Sequence, residues 1–296
     1  MSFAQDKPLR IVVPFPPGGA TDIAGRALQE PLQRLLGHPV VIDNRAGAGG
    51  SIGMAEVARA PGDGLTFGVA TLSTHGVNPA VYAKLPYDPV KDFAGVTEIV
   101  KAPGVIVINP QVLPVKDFAD LVKYLKANPG KISYATPGNG TIGHMWGELF
   151  KSSTGTAMVH IPYRGAGPAS NDVLGGQVPV YFDQVASSLP HVKAGKLKAL
   201  AVSWPQRLEV LPDVPTYAEL GYPQANEPSW FGLVAPASTP AAQVLHVQQA
   251  VAAALKEPAV RDRLAGQGLY PSGTTPAQFS QQIVREIEKM KKVAAY

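Results

Sequence analysis

Along this chain, short runs of β-branched and other apolar residues alternate with longer stretches whose apolar positions return every three to four residues. Residues 9–15 (Leu-Arg-Ile-Val-Val-Pro-Phe) are the first such run and predict a buried strand. Pro16-Pro17-Gly18-Gly19 predicts a tight turn, because Pro fixes φ and Gly accepts unusual backbone angles. Between Thr21 and Leu36, residues Ile23, Ala27, Leu28, Leu32, Leu35 and Leu36 fall on one helical face. Thr21 is expected to cap this helix, with Asp22 in its positive first turn and Gly37 as its stop.

The alternation repeats. Further strands are predicted at 40–42, 65–70, 104–108, 132–135, 158–161, 178–182, 197–202 and 231–235. Helices are predicted at 52–59, 115–127, 141–153 and 166–174, then three in succession at 240–255, 258–266 and 275–293. Gly-rich loops occupy 44–50 and 136–140, and Thr71-Leu72-Ser73-Thr74-His75 reads as a polar turn. Such alternation predicts an α/β protein with parallel sheets covered by helices on both faces. So many strands imply two α/β lobes. The helical tail beyond Pro240 brings no new strands and is expected to pack back on the first lobe. Lobe 1 then comprises 1–103 plus 228–296 and lobe 2 comprises 104–227, with chain crossings near 100–106 and 224–230 where a hinge belongs.

Composition narrows the function classes. A chain of 296 residues with 45% hydrophobic content has ample material for two cores. Its 30 Gly and 29 Pro are scattered without period, which means many turns and no collagen. The absence of Cys removes disulfides, thiol nucleophiles, zinc fingers and iron–sulfur clusters. No apolar run approaches the ~18 residues of a membrane span. The formal charge of +4 is dispersed; only Lys289-Met290-Lys291-Lys292 gathers cations, and it reads as a solvated helix face rather than a nucleic-acid site. The net charge favours approach of an anionic ligand.

One local device occurs twice. A strand runs into Phe15-Pro16-Pro17-Gly18-Gly19-Ala20-Thr21 and a helix; another runs into Thr136-Pro137-Gly138-Asn139-Gly140-Thr141 and a helix. In each, Gly lets backbone N–H groups converge, a Thr hydroxyl stands beside them, and the helix N-terminus adds partial positive charge. Either loop alone reads as an ordinary helix start; the pair predicts an anion-binding cleft between lobes. No nucleotide cofactor, nor any other, is expected, since Ile52 stands where a dinucleotide fingerprint needs its third Gly, and no phosphate-binding P-loop occurs. Six His at 38, 75, 144, 160, 191 and 246 lack metal-ligand spacing. Gly49-Gly50-Ser51-Ile52-Gly53 matches a hydrolase elbow, but its Ser lies too far beyond the preceding strand; Ser51 is better read as a helix cap, with serine hydrolysis the alternative. His75 and His144 either face the cleft or serve the core. Asp183 either meets a ligand or caps a helix, and Tyr163 and Trp230 either wall the cleft or pack.

Taken together, these stretches resemble one family along nearly the whole chain: the extracytoplasmic solute receptors of the tripartite tricarboxylate transporters, often called Bug receptors. The resemblance rests on residues 7–15 running into Gly18-Gly19-Ala20-Thr21-Asp22, on Val41-Ile42-Asp43-Asn44-Arg45-Ala46-Gly47-Ala48-Gly49-Gly50, and on Asn78-Pro79, Leu85-Pro86-Tyr87-Asp88 and Asp92-Phe93. It continues through Tyr134-Ala135-Thr136-Pro137-Gly138, His144, Ile161-Pro162-Tyr163-Arg164-Gly165, residues 195–201 and Trp230-Phe231-Gly232-Leu233. It implies a type II-like periplasmic binding protein whose two lobes close, as a Venus flytrap does, on a small mono-, di- or amino-acid carboxylate. The carboxylate would be held by backbone and hydroxyl groups of Phe15, Gly18, Gly19, Ala20, Thr21 and Asp22 on one loop, and of Thr136, Gly138, Gly140 and Thr141 on the other. Thr71, Ser73, His75, His144, Tyr163 and Asp183 would line the rest. The resemblance further implies no catalysis, periplasmic export on a signal already removed from ahead of Met1-Ser2-Phe3-Ala4-Gln5, and delivery to the membrane components of the transporter. A sensory module would share the same cleft. Two features depart from the family pattern: Arg164 stands where Lys is frequent, and Pro16-Pro17 stiffens the first loop.

Overall fold

A computed structural model describes residues 7–295; the opening segment Met1 to Gln5 lies outside the described residues. The strands are β1 (Leu9–Val13), β2 (Val40–Asn44), β3 (Thr66–Thr71), β4 (Phe93–Ala102), β5 (Gly104–Ile108), β6 (Ser133–Thr136), β7 (Val159–Pro162), β8 (Val180–Gln184), β9 (Lys198–Val202), β10 (Ser229–Pro236) and β11 (Tyr270–Pro271). The helices are α1 (Ala20–Leu36), α2 (Ser51–Arg59), α3 (Asn78–Val81), α4 (Phe118–Ala127), α5 (Ile142–Thr154), α6 (Ala166–Leu174), α7 (Val185–Lys193), α8 (Ala241–Lys256), α9 (Pro258–Gly266) and α10 (Pro276–Ala294).

The strands form two sheets, ordered β11-β4-β10-β3-β1-β2 and β7-β6-β8-β5-β9. Neither is wholly parallel, which corrects the expectation from strand–helix alternation. In the first sheet β2, β1 and β3 are parallel, while β10 runs antiparallel to β3 and β4. In the second, β7, β6 and β8 are parallel, while β5 runs antiparallel to β8 and β9. The reversed strands β5 and β10 are the ones at which the chain enters one sheet from the other; a third, β11, is a two-residue edge strand antiparallel to β4. Only Pro103 separates β4 in the first sheet from β5 in the second, and the chain returns from β9 to β10 through 203–228. A strand that arrives directly from the other sheet has no crossover helix to turn it parallel.

Two elements of nine or more residues are absent from the sequence reading, and the second of them bears on the site. Strand β4 is ten residues long, yet carries Thr97, Glu98 and Lys101 among its apolar positions. Glu98 is 1% exposed and bonds to Gln282 on α10, and its backbone N–H donates to Thr274 Oγ1 at 2.9 Å. A polar strand residue is tolerated there because a distant segment satisfies it, so no local pattern announces it. Helix α7 contains Pro190 and carries in its first turn a pair, Ser187 and Ser188, that turns back to Asp183. The expected Thr21 cap is also corrected: α1 starts one residue earlier, Gly19 is its N-cap, and no side chain caps it.

The C-terminal helices cover the first sheet, α8 against α1 and β4, and α10 against β4. Helix α10 is strongly amphipathic, burying Phe279, Ile283, Ile287 and Met290, and begins in a reciprocal capping box between Thr275 and Gln278. The Phe279 ring lies on Gly232 of β10, where a Cβ would come within 2.1 Å of it. A side chain at that position would lift α10 from the sheet.

Candidate functional site

The first loop follows β1 because Gly18, at φ +91°, turns the backbone where other residues are strained. Asp22 then fixes it from below. Its carboxylate accepts the Gly18 N–H at 3.0 Å, Arg26 Nε at 3.0 Å and Asn44 Nδ2 at 2.9 Å. Asn44 Nδ2 also donates to the Phe15 carbonyl at 2.9 Å. Held this way, the loop presents Phe15, Gly19, Ala20 and Thr21 at the uncapped N-terminus of the 17-residue α1.

The second loop follows β6. Thr136 Oγ1 accepts the Gly138 N–H at 3.2 Å, and Thr141 Oγ1 donates to the Gly138 carbonyl at 2.7 Å. Thr141 is the N-cap of the 13-residue α5, but its hydroxyl makes no cap bond. The Ile142 N–H instead donates to Ser73 Oγ at 2.9 Å, a bond reaching from the segment after β3 to the helix after β6. Ser73 itself lies in one turn of π-helix (Ser73–Val77), where a polar turn was expected.

Between these loops is a narrow cavity. Phe15, Gly19, Ala20, Thr21, Thr71, Ser73 and Phe231 bound it on one side, and Pro137, Thr141, Ile142, Gly143, Trp146, Ala166, Phe182, Asp183 and Gln184 on the other. Two helix N-termini therefore open on one space that contains no cationic side chain. Among the described residues that line it, the only charged side chain is Asp183, 3% exposed, whose Oδ2 accepts Ser187 and Ser188 hydroxyls at 2.6 Å each. Burial pushes this carboxyl up, opposed by Ser187, Ser188, the Gln184 N–H and Tyr181. A site of this composition holds an anion on backbone dipoles and offers a buried carboxyl to whatever lies beside it.

Of the sequence candidates, the cavity thus brings together Phe15, Gly19, Ala20, Thr21, Thr71, Ser73, Thr141 and Asp183. Gly138 and Tyr163 line an adjoining opening that shares Phe15, Pro16 and Pro137 with it. Gly18, Asp22, Thr136, Gly140, His75 and His144 line neither. Gly18, Asp22 and Thr136 build the loops, while Gly140 donates its N–H to His144 Nδ1 at 3.3 Å. The His144 ring stacks on His160 at 4.1 Å, and burial holds His160 down to about 4. His75 is a core residue, 0% exposed, against Phe93 at 4.8 Å and Tyr87 at 5.9 Å. Its Nδ1 meets Thr74 Oγ1 at 2.9 Å, and burial lowers its pKa to about 3, so it is neutral. Trp230 packs on Phe279 at 5.4 Å.

Ser51 does not cap α2: it is the first helical residue, and Gly50 in the left-handed region is the N-cap. Six residues separate it from the end of β2, so the sharp strand-to-helix turn of a nucleophile elbow is missing. Among the described residues, no three His, Asp or Glu side chains gather as a metal site.

Sequence reasoning missed Trp146 and Phe231. Trp146 is four residues after Ile142, on the same face of α5, so helical spacing from the loop carries a signal for it. Phe231 pairs with Thr71 across β10 and β3; only the strand pairing brings it to the cavity.

A family model described as the tripartite tricarboxylate transporter family receptor matches residues 24–295. The chain belongs to this family. Among solved receptor structures, the periplasmic binding protein BugD is 32% identical, with 97% of this chain and 96% of BugD covered and a TM-score of 0.93. MatC from Rhodopseudomonas palustris, with bound malate, is 33% identical over 97% of this chain and 99% of its own, with a TM-score of 0.92. Rpa4515 from the same organism, with adipate, is 35% identical over 98% and 97%, with a TM-score of 0.93. These proteins share the two-lobed α/β fold of periplasmic binding proteins.

Proposed function

We propose that this chain is a periplasmic receptor that binds a small carboxylate between its two loops, closes on it, and delivers it to the membrane components of a tripartite tricarboxylate-type transporter. The observation that carries the reading is the convergence of the α1 and α5 N-termini on one cavity without a cationic side chain. First-turn N–H groups and hydroxyls suit a carboxylate there, since the helix dipoles supply the positive potential. The malate in MatC and the adipate in Rpa4515 support this ligand class. The ligand-holding groups are the amides of Gly19, Ala20, Thr21 and Gly143 and the hydroxyls of Thr21, Thr71 and Ser73, with Thr141 lining the site while its hydroxyl donates to the Gly138 carbonyl and Asp183 beside the ligand's far end. Gly18, Asp22, Thr136, Gly138, Gly140, His144 and Tyr163 hold the loops in shape around them.

The lobes proposed for this motion are 1–103 plus 228–296 and 104–227, hinged at the two crossings. Support comes from the first sheet drawing its strands from both ends of the chain and the second from the middle. Isothermal titration of the purified chain with malate, succinate and adipate tests the reading. Saturable binding with a matching rise in Tm is expected. No heat and no Tm shift with any small mono-, di- or amino-acid carboxylate overturns it.

A further inference from the structure

We infer that Trp146 sets the length of acid that the cleft accepts, so that this receptor takes succinate-sized ligands and rejects suberate-sized ones; the inference rests on the carboxylate-receptor reading above. Ile142 and Trp146, one turn apart on α5, line both the cleft cavity and a second cavity behind it. The second cavity is narrow and walled largely by apolar groups, among them Met145, Leu149, Met290 and Val293, with Gln224, Glu227 and Lys289 also on its lining. The indole is therefore a partition between a space for ligand and a space the ligand does not reach.

The partition is held in place. Trp146 is 8% exposed, and a Cβ on Gly104 of β5 would lie 2.6–2.8 Å from three of its ring carbons. Glycine at 104 lets the ring lie directly on the strand, with no room to retreat further that way. The cleft face of the ring lies with Phe182 and Phe231 on the cavity wall. An acid with one carboxylate on the loop amides thus meets a rigid aromatic wall. Removing the indole joins the two cavities and opens apolar room for additional methylenes, each of which discriminates about 10–200-fold in a fitted apolar pocket.

Isothermal titration of the full chain with straight-chain diacids from succinate to suberate tests this, using wild type, Trp146→Ala and Trp146→Phe. Wild type is expected to bind suberate at least about tenfold more weakly than succinate. Trp146→Ala is expected to gain at least about tenfold for suberate and to lose affinity for succinate, with Trp146→Phe between. An unchanged length ranking in the variants overturns the inference while leaving the receptor reading intact. So does a wild-type protein that binds both diacids equally, which decides the matter even if Trp146→Ala fails to fold by circular dichroism. A wild type that binds no carboxylate overturns the receptor reading itself, and this inference with it.

Discussion

The Ser73 hydroxyl accepts the Ile142 N–H at 2.9 Å, so a residue following the first sheet caps a helix that follows the second. Under the hinge motion proposed above, this bond forms only when the two sides of the cleft come together. Ser73→Ala leaves a buried amide without its partner, which costs about 1–3 kcal/mol. The expected outcome is a lower Tm for the ligand-free protein and weaker carboxylate binding, read by differential scanning fluorimetry with and without malate. Equal Tm and equal ligand shift in the two proteins would show that the bond contributes nothing to closure.

Asp22 acts on the cavity without touching it. Its carboxylate gathers the Gly18 N–H, Arg26 and Asn44, and Asn44 in turn holds the Phe15 carbonyl. Asp22→Ala removes a buried acceptor of charge-assisted bonds, each worth about 1.5–3 kcal/mol. It is expected to lower stability by a few kcal/mol in urea denaturation and to weaken ligand binding. Asp22→Asn keeps the shape and part of the bonding, so it should fall between the two. A full loss of binding at unchanged stability would place Asp22 on the ligand instead.

The two cleft loops were legible in the sequence because each is a strictly local device: a strand, a Gly-rich turn, a Thr and an amphipathic helix. Their neighbours Thr71 and Ser73 were legible for the same reason, as polar residues directly after an apolar strand. His75 was not separable from them by position, since the π-type turn that sends it into the core between Tyr87 and Phe93 leaves no local mark. Strand β4 was hidden because Glu98 is satisfied by α10, some 184 residues away in sequence. The mixed sheets were hidden because strand direction is decided where the chain changes sheet, at Pro103 and at 203–228, and these crossings carry no periodicity.

Asp183 should make stability depend on pH in a direction opposite to a salt-bridged acid. Burial raises its folded-state pKa above the unfolded value of 3.8. As pH rises past that unfolded value, the unfolded chain ionises first and is stabilised relative to the fold. The deficit grows until the folded pKa is reached and is constant above it. Asp183→Asn has no such deficit, so its Tm minus that of wild type should increase from about pH 3.5 to neutral pH. A difference that stays flat over this range would mean that Asp183 is not an acid displaced by burial.

His75 should dominate acid sensitivity from the other side. Its folded-state pKa is lowered from 6.5 to about 3 by burial, and its Nε2 has no hydrogen-bond partner among the described residues. Above pH 6.5 the ring is neutral in both states and its packing against Tyr87 and Phe93 counts in full. As pH falls below 6.5 the unfolded chain takes up a proton that the fold refuses, and stability drains at up to about 1.4 kcal/mol per pH unit. Denaturation in urea from pH 7.5 to 4.5 should therefore show a steeper loss for wild type than for His75→Phe, which fills the aromatic cluster but cannot titrate. Parallel losses in the two proteins would assign the acid sensitivity elsewhere, with the His144–His160 stack beside the second cleft loop as the next place to measure.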